Sequence, residues 1–168
     1  MLHHRYLSEL TLNTAAWYSI HEYKSEGLRL ISDNLLMILV LEDDPERCKH
    51  FSRNWGNHLI QFTDQAEEAK HLMQTFKFDL LFLDHDLGGE VYVDSDHKNT
   101  GAEVARWLED PLNHHCRPYV IVIHTLNPIG RRYMAQALPS AVVCDDGAWL
   151  YPPHELEKHV HPAKRYTR

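Results

Sequence analysis

The feature that most constrains the fold is a fivefold alternation of short apolar runs with helical segments. The runs are LLMILVL at 35–41, HLIQF at 58–62, DLLFLD at 79–84, YVIVIH at 119–124 and SAVVCDD at 140–146. The first is apolar throughout, which is typical of a strand covered on both faces of a parallel sheet. Strands that alternate with helices predict right-handed crossovers between parallel neighbours. We therefore predict an α/β fold built on a five-stranded parallel sheet.

Four helix starts are predicted from capping residues at the ends of these runs. A Ser, Thr, Asp or Asn that precedes a helix can accept a hydrogen bond from a free backbone N–H of its first turn, and Pro suits the first helical position. The predicted starts are Asp44 before Pro45, a capping box from Asp64 to Glu67, a second box from Thr100 to Glu103, and Asn127 before Pro128.

The chain of 168 residues fits one domain with a single large core. We expect an N-terminal extension at 1–34 packed on the domain, the α/β domain at 35–160 and a basic tail at 161–168. The longest apolar run is far shorter than the roughly 20 residues that span a bilayer, and the first residues lack the apolar core of a secretory signal. We expect a cytoplasmic protein with no membrane partner.

Cysteine usage and net charge exclude further classes. Cys48, Cys116 and Cys144 are too few and too widely spaced for a disulfide framework or a zinc knuckle, so we expect buried or idle thiols. The formal net charge of −7 argues against a broad DNA-binding face, because such faces are basic. Any contact with nucleic acid should be local.

Polar and titratable side chains follow four of the predicted strands. In parallel α/β sheets, ligands bind beyond the carboxyl ends of the strands, so these residues are expected to share one rim. The set comprises Glu42, Asp43 and Asp44 after the first strand, Asp84, His85 and Asp86 after the third, His124, Thr125 and Asn127 after the fourth, and Asp145 and Asp146 after the fifth.

The acidic residues of this rim predict a site for a hard divalent cation. Carboxylate oxygens suit Mg²⁺ or Mn²⁺, and we expect Asp43 and Asp84 as ligands, with Asp44 either a third ligand or only a helix cap. His85 and His124 leave neighbouring strands and are predicted to flank one bound group and share its proton transfers. Asp86 would orient one of the two imidazoles. A metal-free reaction of the histidine pair remains the alternative.

The helix starts add candidate anion sites. Free N–H groups at the start of NPIGRR, with Arg131 nearby, attract phosphate through hydrogen bonds and the helix dipole. The start at NTG offers a weaker version. The predicted substrate-binding residues are Thr100, Gly101, Thr125, Asn127, Gly130 and Arg131.

These motifs resemble two related families. ILVLEDDPER and DLLFLDHDLGG resemble a response-regulator receiver domain, but the fifth strand ends VVCDD and lacks the lysine that a receiver places there. LDHDLG, NTGAEVARWL and IHTLNPIGRRYM, in that order over about 35–145, resemble the receiver-derived family named for cyclic-phosphate processing. The loop EVYVDSDHK is longer than that family's usual form. The resemblance implies a receiver-like or flavodoxin-like three-layer sandwich with strand order 2-1-3-4-5.

The family resemblance also implies a function and a residue set. The implied activity is a phosphodiesterase that opens a cyclic phosphate, such as a 2′,3′-cyclic RNA end or a cyclic nucleotide, in RNA repair or in removal of a nucleotide signal. The implicated positions are Asp43, Asp44, Asp84, His85, Asp86, Thr100, Gly101, His124, Asn127 and Gly130. Two alternatives stay open: a receiver-like module that accepts phosphate on Asp84 or senses a nucleotide without turnover, and a pure interaction domain.

Overall fold

A six-stranded sheet with helices on both faces forms the centre of the molecule. The structure, a computed structural model, describes residues 35–144, 147–156 and 159–162. The predicted N-terminal extension at 1–34, Asp145, Asp146 and the tail beyond 162 lie outside the described residues.

The elements alternate as the sequence predicts. In chain order they are β1 (Met37–Leu41), α1 (Pro45–Trp55), β2 (Leu59–Thr63), α2 (Ala66–Thr75), β3 (Leu80–Leu83), α3 (Gly101–Glu109), a 3₁₀ helix (Pro111–Cys116), β4 (Val120–Ile123), α4 (Pro128–Ala137), β5 (Val142–Cys144), a second 3₁₀ helix (Ala148–Leu150), α5 (Pro153–Leu156) and β6 (Val160–Pro162).

The sheet has the strand order β2-β1-β3-β4-β5-β6. The first five strands are parallel, which confirms the predicted order 2-1-3-4-5 and the receiver-like fold. The short strand β6 was not predicted, and it pairs antiparallel with β5. In the register of β3 and β4, Leu83 lies opposite Ile123. The first residues after the two strands therefore also lie opposite each other, and their side chains point to the same face of the sheet.

Alternating strand residues divide the core into two layers. Leu81 and Leu83 of β3 pack in the layer that includes α2, α3 and α4. Leu80 and Phe82 point to the other face and pack with α1 and the segment 148–156. Because successive strand side chains point to opposite faces, each strand feeds both layers.

Three of the four predicted helix starts are confirmed. Asp44, Thr100 and Asn127 are the N-cap residues of α1, α3 and α4, and each side chain accepts a hydrogen bond from the first turn. The box from Asp64 to Glu67 is wrong, because α2 begins at Ala66 after Gln65, whose side chain makes no capping bond. The Ala66 N–H instead donates to Asn99 Oδ1 at 2.8 Å, a partner 33 residues away that local spacing cannot reveal.

All three cysteines are buried and free, as predicted. Within the part of the chain that the structure describes, no helix is both long and apolar enough to span a membrane.

Candidate functional site

A cleft of about 630 Å³ opens at the carboxyl ends of the parallel strands. This is the place where α/β sheets of this kind bind their ligands. Its walls are formed by Asp43, Asp44, Pro45, Arg47, Asp84, Asp86, Gly89, Glu90, Val91, Thr125, Leu126 and Trp149.

Three buried carboxylates lie together after β1 and β3, and two of them, Asp43 and Asp84, line this cleft. Glu42, Asp43 and Asp84 each offer an oxygen, and these oxygens all lie within 4.8 Å of one another. The strands fix their positions, since the Asp84 N–H donates to the Leu41 carbonyl at 3.1 Å. We call these three residues the carboxylate triad. It includes Asp43 and Asp84, the two residues that the sequence predicts as metal ligands.

The third predicted ligand, Asp44, does not belong to the triad. Its Oδ1 accepts hydrogen bonds from the Glu46 and Arg47 N–H groups at 2.8 and 3.3 Å, so the carboxylate caps α1. Glu42 takes its place, with its carboxylate turned back to accept the Asp43 and Asp44 N–H groups at 2.9 Å each.

Burial and crowding shape the electrostatics of the triad. Burial, and then the neighbouring charge of Asp84, raise the pKa of Glu42 well above its usual range. Burial likewise raises the pKa of Asp84, although the Arg47 charge and a hydrogen bond from Thr125 oppose the shift. Glu42 Oε2 is fully buried and has no hydrogen-bond partner within the described ranges. A purely carboxylate donor set with one orphaned oxygen fits a hard divalent cation.

Arg47 is a functional candidate that the sequence analysis missed. Its Nη2 lies 2.8 Å from Glu42 Oε1, 3.1 Å from Asp84 Oδ2 and 3.5 Å from Asp43 Oδ1. The guanidinium carbon is also 5.1 Å from the ring centroid of Trp149. The only signal in the sequence is the position of the arginine in EDDPER, within the first turn of the helix that follows the acidic run.

His85 lies behind the cleft, on the side of α3 and α4. Its Nδ1 is 2.8 Å from Asp86 Oδ1, and its Nε2 is 3.1 Å from the hydroxyl of Ser95. The ring packs so closely on Gly130 that a Cβ there would overlap it. The imidazole is fully buried and joins strand β3 to the loop that precedes α3.

His124 lies in the opposite layer. Its ring packs edge-on against Phe51, Phe82 and Trp149, with centroids 5.5, 6.1 and 5.9 Å apart. Burial lowers its pKa to about 3, so the ring is neutral. Its Nδ1 lies 3.9 Å from Glu42 Oε2, and neither ring nitrogen has a hydrogen-bond partner among residues 35–144, 147–156 and 159–162.

The predicted acid–base pair is therefore wrong. Leu83 lies opposite Ile123 in the sheet, so Asp84 and His124 continue on one face while His85 points to the other. Neither imidazole lines the cleft, and the two cannot flank one phosphorus atom.

Asp86 does line the cleft, and it also anchors the loop at its edge. Its carboxylate accepts the N–H groups of Tyr92 and Val93 at 2.8 and 3.1 Å and the side-chain amide of Asn127 at 2.9 Å. Burial raises the pKa of Asp86, but the hydrogen bonds from His85, Asn127 and the loop outweigh it and lower the pKa overall. Asp86 is therefore ionised at neutral pH.

Of the six predicted substrate-binding residues, only Thr125 lines the cleft. Thr100 and Asn127 are buried helix caps, and Asn127 also holds Asp86. The Arg131 guanidinium donates to the Thr125 carbonyl at 2.7 Å. Gly101 and Gly130 are contact points, where a Cβ would overlap the Asp84 carbonyl and the His85 ring. These five residues position the walls of the cleft and do not line it.

Comparison with known proteins gives a family. A search of curated proteins found no match. Among solved structures, a yeast Spc42 trimeric coiled-coil fusion is similar at 15% identity over 68% of each chain, with a TM-score of 0.48. A CheY-like response regulator receiver domain from Methylobacillus flagellatus is similar at 18% identity over 55% of this chain and 70% of that one, with a TM-score of 0.41. The family model described as "Cyclic-phosphate processing Receiver domain" matches residues 37–140. The chain thus belongs to the family of cyclic-phosphate processing receiver domains.

Proposed function

We propose that this protein is a phosphodiesterase that hydrolyses a small cyclic phosphate in the cleft above β1, β3 and β4. The observation that carries the proposal is the carboxylate triad, whose oxygens converge within 4.8 Å and whose members Asp43 and Asp84 line a cleft that also contains Arg47. The family description points to the same class of substrate.

The triad would hold a divalent metal ion, Mg²⁺ or Mn²⁺, which when bound would withdraw electron density from the phosphoryl group. The Arg47 guanidinium and the His85 backbone N–H donate to the two oxygens of Asp84 at 3.1 and 2.7 Å and fix the orientation of that carboxylate. The carboxylates alone would repel a phosphate, so positive charge is needed for substrate to enter. Arg47 supplies one such charge.

In this proposal Asp86 is the candidate for moving the proton. It is ionised, it lines the cleft, and His85 and Asn127 hold its orientation. In hydrolysis, the oxygen of a water molecule bonds to phosphorus and one ring P–O bond breaks. Asp86 would accept the proton of the water and return it to the departing oxygen, so that a phosphomonoester and a free hydroxyl result.

The substrates that suit the cleft are a 2′,3′-cyclic phosphate at an RNA end or a cyclic nucleotide. Both present one small, singly charged phosphate, and neither needs a basic face, which fits the net charge of −7. Such an activity would serve RNA repair or the removal of a nucleotide signal.

The test is turnover of defined cyclic phosphates. The purified chain is incubated with 2′,3′-cyclic mononucleotides, cyclic-ended RNA, 3′,5′-cyclic mononucleotides and cyclic dinucleotides, with Mg²⁺, Mn²⁺ or EDTA, and products are followed by ³¹P NMR. We expect one class to be opened, and we expect Asp84→Asn to lower kcat by at least about a hundredfold.

Glu46→Gln is the matched control, because Glu46 lies on α1 outside the cleft and pairs with Lys49 at 2.6 Å. It should keep wild-type turnover. Absence of turnover with every substrate and either metal would contradict the proposal, and loss of activity in Glu46→Gln as well would show that the effect is not specific to the triad.

A receiver-like phosphoacceptor is the second candidate. It is favoured by one observation: Asp84 directly follows β3 and lines the cleft, and Thr125, which follows β4, lines the cleft with it. Acetyl phosphate that labels the wild-type chain and not Asp84→Asn, without cleavage of any cyclic phosphate, would support this role in place of the phosphodiesterase.

A further inference from the structure

The carboxylate triad already has a cation inside it. Arg47 Nη2 lies within 3.5 Å of an oxygen of each of the three carboxylates. A divalent ion bound by the same three residues would have to lie about 2 to 2.5 Å from their oxygens. The guanidinium and the ion would then compete for the same space.

The charges of the site favour an exchange between the two cations. Three carboxylates that converge within 4.8 Å can carry up to three negative charges, and one guanidinium compensates only one of them. A divalent ion compensates more of this charge and prefers such oxygens. Arg47 is therefore a weaker occupant of the triad than the ion would be.

Arg47 contacts the triad through Nη2. Its Nε is buried and has no hydrogen-bond partner in the described part of the chain, although Asp44 Oδ2 lies 3.7 Å away. The side chain lines the open cleft, and the face of Trp149 already lies 5.1 Å from the guanidinium carbon. An aromatic face stabilises a cation, so Trp149 already supports the guanidinium on the side of the cleft and can stay its partner when Nη2 leaves the carboxylates.

From these contacts we infer that Arg47 is an internal competitor of the metal ion, which lowers the affinity of the carboxylate triad for metal and leaves the triad when the ion binds. The inference rests on the metal role in the proposed function. Once displaced from the triad, the guanidinium would stay against Trp149 and face the cleft beside the bound ion. There it is available to a substrate phosphate.

The test measures metal binding directly, with no substrate. Mn²⁺ is titrated into the metal-free chain, and free Mn²⁺ is read by electron paramagnetic resonance. Arg47→Met and Arg47→Gln should each bind at least about tenfold more tightly than wild type, because a positive charge a few ångströms from the ion is removed. Adding Asp84→Asn to either variant should abolish the gain, which locates the ion in the triad.

Arg53→Met is the matched control, because Arg53 is an exposed arginine of the same helix and its loss changes the net charge equally. It should bind Mn²⁺ within about twofold of wild type, since exposed charges far from a site are screened. Equal affinities for Arg47→Met and Arg53→Met would overturn the inference, as would a gain that persists with Asp84→Asn.

Either Arg47 variant could lose structure when three carboxylates are left uncompensated. In that case Mn²⁺ should restore the far-ultraviolet circular dichroism of the folded chain, and failure to do so would overturn the inference. The outcome is separate from that of the proposed function. If the Arg47 variants bind Mn²⁺ more tightly but no cyclic phosphate is turned over, the phosphodiesterase proposal is contradicted and the competition by Arg47 is supported. If a cyclic phosphate is turned over but Arg47→Met binds Mn²⁺ no more tightly than wild type, the competition is contradicted and the phosphodiesterase proposal is supported.

Discussion

Two glycines of the motifs NTG and NPIG are needed for their lack of a side chain. Gly101 begins α3 against the carbonyl of Asp84, and Gly130 lies in the first turn of α4 against the His85 ring. In both places helix and strand end approach too closely for a Cβ. The motif glycines thus set the positions of Asp84 and His85 from behind the cleft.

We predict that Gly130→Ala destabilises the fold by about 1 to 3 kcal/mol. The added Cβ overlaps the ring of His85, which cannot move freely because Asp86 and Ser95 hold its two nitrogens. The sign of the change in the free energy of unfolding is informative, because replacing Gly by Ala within a helix otherwise stabilises it by about 1 kcal/mol. Urea denaturation measures the change.

Gln136→Ala on the same helix is the control, because Gln136 is only partly buried, and its effect should stay within about 0.5 kcal/mol. A Gly130→Ala variant as stable as wild type would show that the strand end and the helix have room to separate.

At the scale of elements, an ion-pair network joins α2 to α3. Lys70 Nζ lies 2.7 Å from Glu103 Oε1 and 2.8 Å from Glu67 Oε1, and Arg106 Nη2 lies 2.9 Å from Glu103 Oε2. Burial raises the pKa of Glu103, but the hydrogen bonds from Lys70 and Arg106 outweigh it and lower the pKa below the usual 4.5. The network holds α2 against α3. The hydrogen bond from the Ala66 N–H at the start of α2 to Asn99, which precedes α3, joins the same two helices.

We predict that Glu103 stabilises the fold at neutral pH and that this stabilisation is lost in acid. A carboxylate whose pKa is lowered by folding stabilises the fold fully above its unfolded value and loses this contribution as the pH falls through the folded-state value. Glu103→Gln should therefore cost up to about 1 kcal/mol at pH 7, and the difference from wild type should shrink as the pH falls below about 4.5.

Urea denaturation of both proteins at pH 7 and pH 3.5 measures the two differences. Glu109→Gln, an exposed change in the same helix, should show a small difference at both pH values. A gap between wild type and Glu103→Gln that stays constant or widens in acid would refute the prediction.

At the scale of the whole molecule, charge limits how a substrate can be held. The net charge is −7, and the cleft wall includes Asp43, Asp44, Asp84, Asp86 and Glu90 beside Arg47. A polynucleotide backbone gains little from such a surface, because its affinity comes from phosphates that meet Lys or Arg. If the proposed function holds, recognition of an RNA should therefore be confined to its cyclic end.

We predict that chain length of an RNA substrate has little effect. If cyclic-ended RNA is hydrolysed, kcat/KM for a long oligonucleotide should lie within about threefold of the value for a dinucleotide that ends in the same 2′,3′-cyclic phosphate. A plot of log kcat/KM against log salt concentration should have a slope of magnitude below about 1. Steady-state kinetics at several potassium chloride concentrations give both quantities. A steep negative slope together with higher efficiency on long RNA would reveal backbone contacts that the charge argument excludes.

The sequence by itself determined the local features of this protein. Continuous apolar runs predict the parallel strands, Asp44, Thr100 and Asn127 predict helix starts, and the acids after β1 and β3 predict a carboxylate site, because strand period, capping and burial act over a few residues. Strand order and family came from the motifs that resemble a receiver.

Only the tertiary structure decided which of these groups meet. The register that sets Leu83 opposite Ile123 sends His85 and His124 to opposite layers, and the turn of α1 carries Arg47 into the triad in place of Asp44. Asn99 reaches Ala66, and Ser95 reaches His85, across loops whose path local spacing does not specify. The physical reason is that a side chain's chemistry depends on the face and the neighbours it is given, and these are fixed by packing between elements far apart in the chain.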